Sequence, residues 1–206
     1  MSDPQKKLLK ALIVGKPNVG KSTLLNSLVG EKVSIVSRKA QTTQRNTTGV
    51  ITKDNSQLIF FDTPGLNKIE KNIRISETFK TVAENVDVLI YMVDNTKKSQ
   101  SIDDQFRNWL NNNENKFIKK ILIINKIDCI EKVNLFEITK KINGVINFDE
   151  TFFISLSKKS GMERFLNWVE KQAYSNEWLF QQTYKSNISK KNFLSELTRE
   201  KVFEYI

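Results

Sequence analysis

The sequence has no histidine, one cysteine (Cys129), three prolines and seven glycines in 206 residues. Without histidine there is no Ser-His-Asp or Cys-His triad, no imidazole base and no histidine metal ligand. A single cysteine excludes an intrachain disulfide and fits a reducing compartment. No apolar run approaches the ~18 residues of a membrane-spanning helix; the longest strong one is Val88 to Val93. The start, Met1 to Lys10, is charged and is not followed by the apolar core and cleavage site of a secretory signal. These absences predict a soluble, cytoplasmic protein.

Charge is plentiful. Lys+Arg total 33 against 23 Asp+Glu, a net of +10, and lysine outnumbers arginine 27 to 6. That balance is the footprint of a nucleic-acid partner, but an AT-rich genome writes the same lysine bias into any protein. The charges are spread along the chain without a dense basic block. Hydrophobic residues make up 39%, enough for an ordinary core. At ~150 residues per domain, the length suggests one domain with an appendage or part of a second.

Strand and helix patterns alternate. Leu8 to Val14 reads as a buried strand ending at a glycine. Lys21 to Val29 puts Leu24, Leu25 and Leu28 on one helical face, stopped by Gly30. Residues 31 to 46 read as a long polar loop, which in a compact domain is usually functional. Thr47 to Thr52 and Gln57 to Phe61 read as paired strands joined across Asp54-Asn55. The continuous apolar runs Val86 to Val93 and Lys119 to Ile124 suit inner strands of a parallel sheet. Ile102 to Leu110 reads as a helix between them, Thr151 to Ser155 as a last strand and Met162 to Ala173 as a last helix. Phe165 and Trp168 on that helix are expected in the core. No glycine follows Gly161 and no proline follows Pro64; Tyr174 to Lys191 reads as a polar linker with a Trp178-Leu179-Phe180 anchor, and Phe193 to Ile206 as an amphipathic helix.

Four segments carry chemistry. Gly15-Lys16-Pro17-Asn18-Val19-Gly20-Lys21-Ser22 fits G-x-x-x-x-G-K-[ST] between a strand and a helix. Such a loop turns backbone N–H groups onto phosphate oxygens, and the helix N-terminus adds field for an anion. Lys21 is placed to reach the β- and γ-phosphates, and the Ser22 hydroxyl to ligate Mg²⁺. Asp62-Thr63-Pro64-Gly65 closes a strand: an aspartate there can hold Mg²⁺ through water, and the Gly65 amide can sense a γ-phosphate. Alone, it would be a plain Pro-Gly turn. Asn125-Lys126-Ile127-Asp128 follows another strand, and a carboxylate there can accept N1–H and the 2-amino group of guanine, a donor pair adenine lacks. Ser155-Leu156-Ser157 ends a further strand, where its backbone can touch the guanine carbonyl. In a parallel sheet these strand ends converge on one edge.

With these motifs in that order, the chain resembles the TrmE-Era-EngA-like translation-factor-related GTPases, and within them the Era family. Gly15 to Ser22 with Thr23-Leu24-Leu25-Asn26 looks like the phosphate loop of that group. Ser37-Arg38-Lys39-Ala40-Gln41-Thr42-Thr43 is similar to the Era switch segment. Glu177-Trp178-Leu179-Phe180 and Leu197-Thr198-Arg199-Glu200-Lys201-Val202 resemble Era's interdomain stretch and the opening helix of its RNA-binding KH domain. The resemblance implies an α/β P-loop fold, three-layered, with a mixed, mostly parallel six-stranded sheet. It implies a GTPase domain over 1–173, a linker over 174–191 and a first KH-type helix over 192–206.

The resemblance also implies roles. Thr43 would be the switch threonine that closes on Mg²⁺ and the γ-phosphate, acting with Lys21 and Gly65 in catalysis. Asn18 would help hold a potassium ion. Leu66 stands where Ras-like enzymes carry a water-orienting glutamine, so slow intrinsic turnover is expected. GTP and GDP with Mg²⁺ would be the ligands, and 16S rRNA and the small (30S) ribosomal subunit the partners of a monomeric protein, with any membrane association peripheral. Gln44 departs from the usual arginine, and Leu156 from the usual alanine. The chain stops within the first KH-type helix, with no glycine left for a Gly-x-x-Gly clamp on RNA, so weak, unselective RNA binding is expected. The competing readings are a Der- or MnmE-like GTPase with another RNA target and a non-hydrolysing nucleotide-binding interaction module.

Overall fold

The structure is a computed structural model that describes residues 5–34, 47–62, 67–69, 72–74, 77–96, 100–102, 104–113, 117 and 119–187. Its elements run β1 (Lys7–Gly15), α1 (Lys21–Val29), β2 (Thr47–Lys53), β3 (Ser56–Asp62), β4 (Asn67–Ile69), β5 (Asn72–Arg74), α2 (Glu77–Ala83), β6 (Val88–Val93), α3 (Asp104–Asn112), β7 (Lys119–Ile124), α4 (Lys132–Asn143), β8 (Glu150–Phe153), α5 (Met162–Gln172) and β9 (Tyr174–Ser175).

The sheet order is β2-β3-β1-β6-β7-β8, with β9 paired to β1. β3, β1, β6, β7 and β8 are parallel neighbours, while β2 and β9 run antiparallel. The parallel strands are apolar on both faces because helices cover both. Ala11, Ile13, Ile90 and Ile121 pack with α1 and α5 on one side; Leu12, Tyr91 and Leu122 pack with α2, α3 and α4 on the other. Phe165 is fully buried and Trp168 meets Phe152 edge to face at 5.6 Å, as expected of core aromatics. The parallel register brings Gly15 beside Met92 and sets Asp62 opposite Ile13, so the loops after β1, β3, β6, β7 and β8 open on one edge.

β4, β5 and α2 lie where the sequence reading placed no element, and three further features differ from it. α4 is a twelve-residue helix where no element is read. Leu135, Ile138 and Ile142 give it a buried stripe, but exposed Val133 and Phe136 blur the amphipathic pattern. β8 ends at Phe153, because Ser155 turns into an isolated bridge with Ser160.

The third difference is the extent to which the segment read as a polar linker is docked: the Trp178-Leu179-Phe180 anchor holds to Asn55 and Gln57, and the residues around it follow. Residues 174 to 187 lie on the domain as a strap. Tyr174–Ser175 extends the sheet beside β1. Phe180 and Tyr184 stack at 4.4 Å and cover Leu8, Val50 and Ile59. The Val50 amide donates to the Lys185 carbonyl at 2.8 Å, so the strap also caps the outer edge of β2. The helix read over Phe193 to Ile206 lies outside the described residues.

Candidate functional site

The phosphate-type loop joins β1 to α1. Gly15 (φ 150°) and Gly20 (φ 107°) adopt left-handed-side conformations that glycine takes without strain. A Cβ on Gly15 would strike the Met92 carbonyl, and one on Gly20 would strike the Asn125 amide. The loop therefore lies against β6 and β7. Val19 anchors it in the core, while Pro17 and Asn18 form its exposed rim. Lys16 is half-buried and donates to the Ser101 hydroxyl. Thr23 lies in the first turn of α1.

Lys21 is 7% exposed and donates to the carbonyls of Gly15 (2.9 Å) and Lys16 (3.0 Å). Burial pushes its ammonium below the ordinary lysine range, and the Asp62 carboxylate pulls the other way. Asp62, at the end of β3, is fully buried. Its Oδ2 accepts from Ser22 (2.7 Å) and from Ser34 (3.3 Å), while Oδ1 has no hydrogen-bond partner. Burial raises its pKa, against the opposing pull of Lys21 and the two hydroxyls.

Both groups thus hold charge at a desolvation cost that their mutual attraction and the two hydroxyls offset only in part. Each is the other's counter-charge, but burial outweighs that attraction for both. An orphaned carboxylate oxygen beside a serine hydroxyl is the donor set a hard divalent ion takes, with phosphates and water filling its remaining positions. Ser22 and Asp62 therefore fit Mg²⁺. Among the described residues no cluster of three acidic, cysteine or histidine groups offers a denser metal cage.

The base-side half is built by β7, β8 and their loops. Asn125 is buried; its Nδ2 donates to the Val19 carbonyl (2.8 Å) and its Oδ1 accepts from the Leu156 amide (3.3 Å). Lys126 (φ 61°) spans the loop, donating to the Asn18 carbonyl (3.0 Å) and to Asp94 (2.6 Å). Asp128 is the middle residue of a one-turn 3₁₀ segment, Ile127–Cys129. The hydroxyl of Ser155, and less so that of Ser157, holds its carboxyl below the usual carboxylate range, at 2.6 and 3.1 Å. The Leu156 side chain packs against the core beside Gly20, so its bulk lies under the phosphate loop.

The structure thus brings together Gly15, Lys16, Pro17, Asn18, Val19, Gly20, Lys21, Ser22, Thr23, Asp62, Asn125, Lys126, Asp128, Ser155, Leu156 and Ser157 at one sheet edge. Thr43, Thr63, Pro64, Gly65 and Leu66 lie outside the described residues.

Three residues of the site have no role in the sequence reading. Asp94 directly follows β6, is 2% exposed and holds Lys126 in place. Its position after an apolar run, like that of Asp62, was the available signal. Asn26 and Ser34 carry no such signal, because their partners meet only in the fold.

A sequence model described as "50S ribosome-binding GTPase" matches residues 10–126. The GTPase Era of Trichlorobacter lovleyi is 34% identical over 215 residues, spanning 98% of this chain and 68% of that protein. The GTPase Era of Sinorhizobium medicae is 32% identical over 195 residues, 93% of this chain and 61% of its own length. The chain therefore spans about three fifths of the length of several such relatives. Among solved structures, Era in complex with MgGDPNP and nucleotides 1506–1542 of 16S ribosomal RNA superposes with a TM-score of 0.79 at 33% identity, covering 95% of this chain and 67% of that one. An Aquifex aeolicus Era variant bound to GDP·AlF₄⁻ gives 0.78 at 33% identity, covering 95% and 66%.

Proposed function

Because the chain belongs to the 50S ribosome-binding GTPase family, among its GTPase Era members, we propose that it binds GTP and GDP with Mg²⁺ and hydrolyses the β–γ bond of GTP by water attack. The observation that carries this reading is the Asn125 side chain, which joins the Val19 carbonyl to the Leu156 amide. It makes the phosphate-binding and base-reading halves one unit.

Lys21 exchanges its carbonyl partners for β- and γ-phosphate oxygens and stabilises charge that develops on them. Ser22 and Asp62 hold Mg²⁺, with Thr43 as the switch ligand; the ion, when bound, neutralises phosphate charge. The Gly65 amide reads the γ-phosphate. Asp128 accepts the two guanine N–H groups, and an adenine edge would leave it unpaired. Leu66 cannot orient water as a glutamine does, so turnover rests on positioning and charge. Asn18, exposed on the loop rim, supplies a carbonyl-type oxygen suited to potassium.

The rRNA complex of the Era relative motivates the partner. As part of an Era-like protein, the chain acts in 16S rRNA processing and 30S assembly, as a monomer, with any membrane contact peripheral. Residues 1–173 form the GTPase domain, 174–191 the connection and 192–206 the start of a KH-type unit.

Steady-state GTP hydrolysis in potassium and in sodium, with Lys21→Ala as the blank, tests the reading. Turnover above the blank that rises in potassium is expected. Nucleotide binding without turnover in either salt would favour a non-hydrolysing module.

A further inference from the structure

Ser34 is the last described residue before the segment read as a switch, and it is 4% exposed. Asn26 of α1 fixes it through three bonds. Asn26 Oδ1 accepts from the Val33 and Ser34 amides, both at 2.8 Å, and Nδ2 donates to the Ser34 carbonyl at 2.8 Å. A planar amide that holds both polar backbone groups of one residue leaves that residue little rotational freedom. The side chain so fixed donates to Asp62 Oδ2, the same oxygen that takes the Ser22 hydroxyl.

Each carboxylate oxygen has about two lone-pair sites. Ser22 and Ser34 occupy both on Oδ2. Oδ1, which is buried and unpartnered, is then the only acceptor Asp62 has left. A single hydroxyl on Oδ2 would leave the carboxylate free to rotate and share its load between both oxygens.

We propose that Ser34 is a positioning residue for the divalent-cation centre: held by Asn26, its hydroxyl saturates Oδ2 of Asp62 and leaves Oδ1 to the cation or its bound water. The inference rests on the nucleotide-site reading above and adds a residue that acts on the metal site through Asp62.

The test uses the full chain loaded with a fluorescent GDP, with retention measured across a Mg²⁺ titration and again in EDTA. Ser34→Ala is expected to raise the Mg²⁺ midpoint about tenfold, the low end of the range for one hydrogen bond to a charged acceptor, as suits a 3.3 Å bond. Its affinity for GDP in EDTA is expected to match the parent. Ser34→Cys, close in size with a weak S–H donor, gives the same reading should the alanine variant fail to fold. An unchanged midpoint, or a loss of GDP equal in Mg²⁺ and EDTA, overturns the proposal; the second result would mean that Ser34 only supports local structure. If the parent chain itself retains no GDP, the nucleotide-site reading falls and this inference with it.

Discussion

Asn125 donates its side-chain amide to the Val19 carbonyl at 2.8 Å, joining the end of β7 to the middle of the phosphate loop. The bond is buried and its other end is occupied by the Leu156 amide. Asn125→Ala would leave both backbone groups unsatisfied, at about 1–3 kcal/mol each. GDP affinity should fall by about ten- to a hundredfold. A fluorescence titration that finds parent-like affinity would show that the two halves do not depend on this link.

Base selection is predicted to reside in Asp128. Asp128→Asn should weaken GTP and GDP and favour xanthosine nucleotides, whose edge offers an acceptor where guanine offers a donor. Competition between the two nucleotide sets measures this, and unchanged preference would refute it. Ser155→Ala removes the main hydroxyl that keeps the carboxyl ionised. Guanine binding lost on acidification should then be lost at a higher pH in that variant than in the parent.

Asp62 supplies a stability test. Its folded pKa lies above the ordinary value of 3.8, chiefly through burial. Between those two values the native chain binds more protons than the unfolded one, so the contribution of Asp62 to stability falls as pH rises through the folded pKa. Relative to Asp62→Asn, the nucleotide-free parent should therefore lose thermal stability from about pH 4 upward. A melting-temperature difference that is flat with pH would contradict the assignment. Saturating Mg²⁺ and GDP should reverse the sign, because the cation then favours the charged form.

Gln57 is fully buried and uses both ends of its amide on the strap: Oε1 accepts from the Leu179 and Phe180 amides, and Nε2 donates to the Phe180 carbonyl. Gln57→Leu should destabilise the chain by about 1–3 kcal/mol, since those part-buried backbone groups lose their partners. Urea unfolding reads this directly. A change below about 0.5 kcal/mol, the size of an ordinary surface substitution, would mean that the strap detaches freely.

Much of the site was legible before the fold. Gly15 to Ser22 announces itself because glycine spacing, lysine and serine are fixed in one local loop. Asp62 and Asn125-Lys126-Ile127-Asp128 are legible because each follows an apolar strand. Asp94 shows the limit of that rule: it follows a strand in the same way, yet only its 2.6 Å contact with Lys126, 32 residues away, reveals its use. α4 escaped because Val133 and Phe136, each 72% exposed, are apolar residues on its solvent face.

The sequence by itself determined the alternation of strands and helices, the strand-end motifs and the chemistry each can perform, since these depend on short-range spacing and residue type. Tertiary structure alone decided what joins them. The strap reads as a polar linker because its strongest ties are backbone amides and carbonyls, which every residue carries and no side-chain pattern encodes. Ser34 meets Asp62, and Asn125 meets Val19, across 28 and 106 residues. Contacts at that separation exist only once the parallel sheet has set its strand order, and that order follows from burying apolar surface on both faces at once.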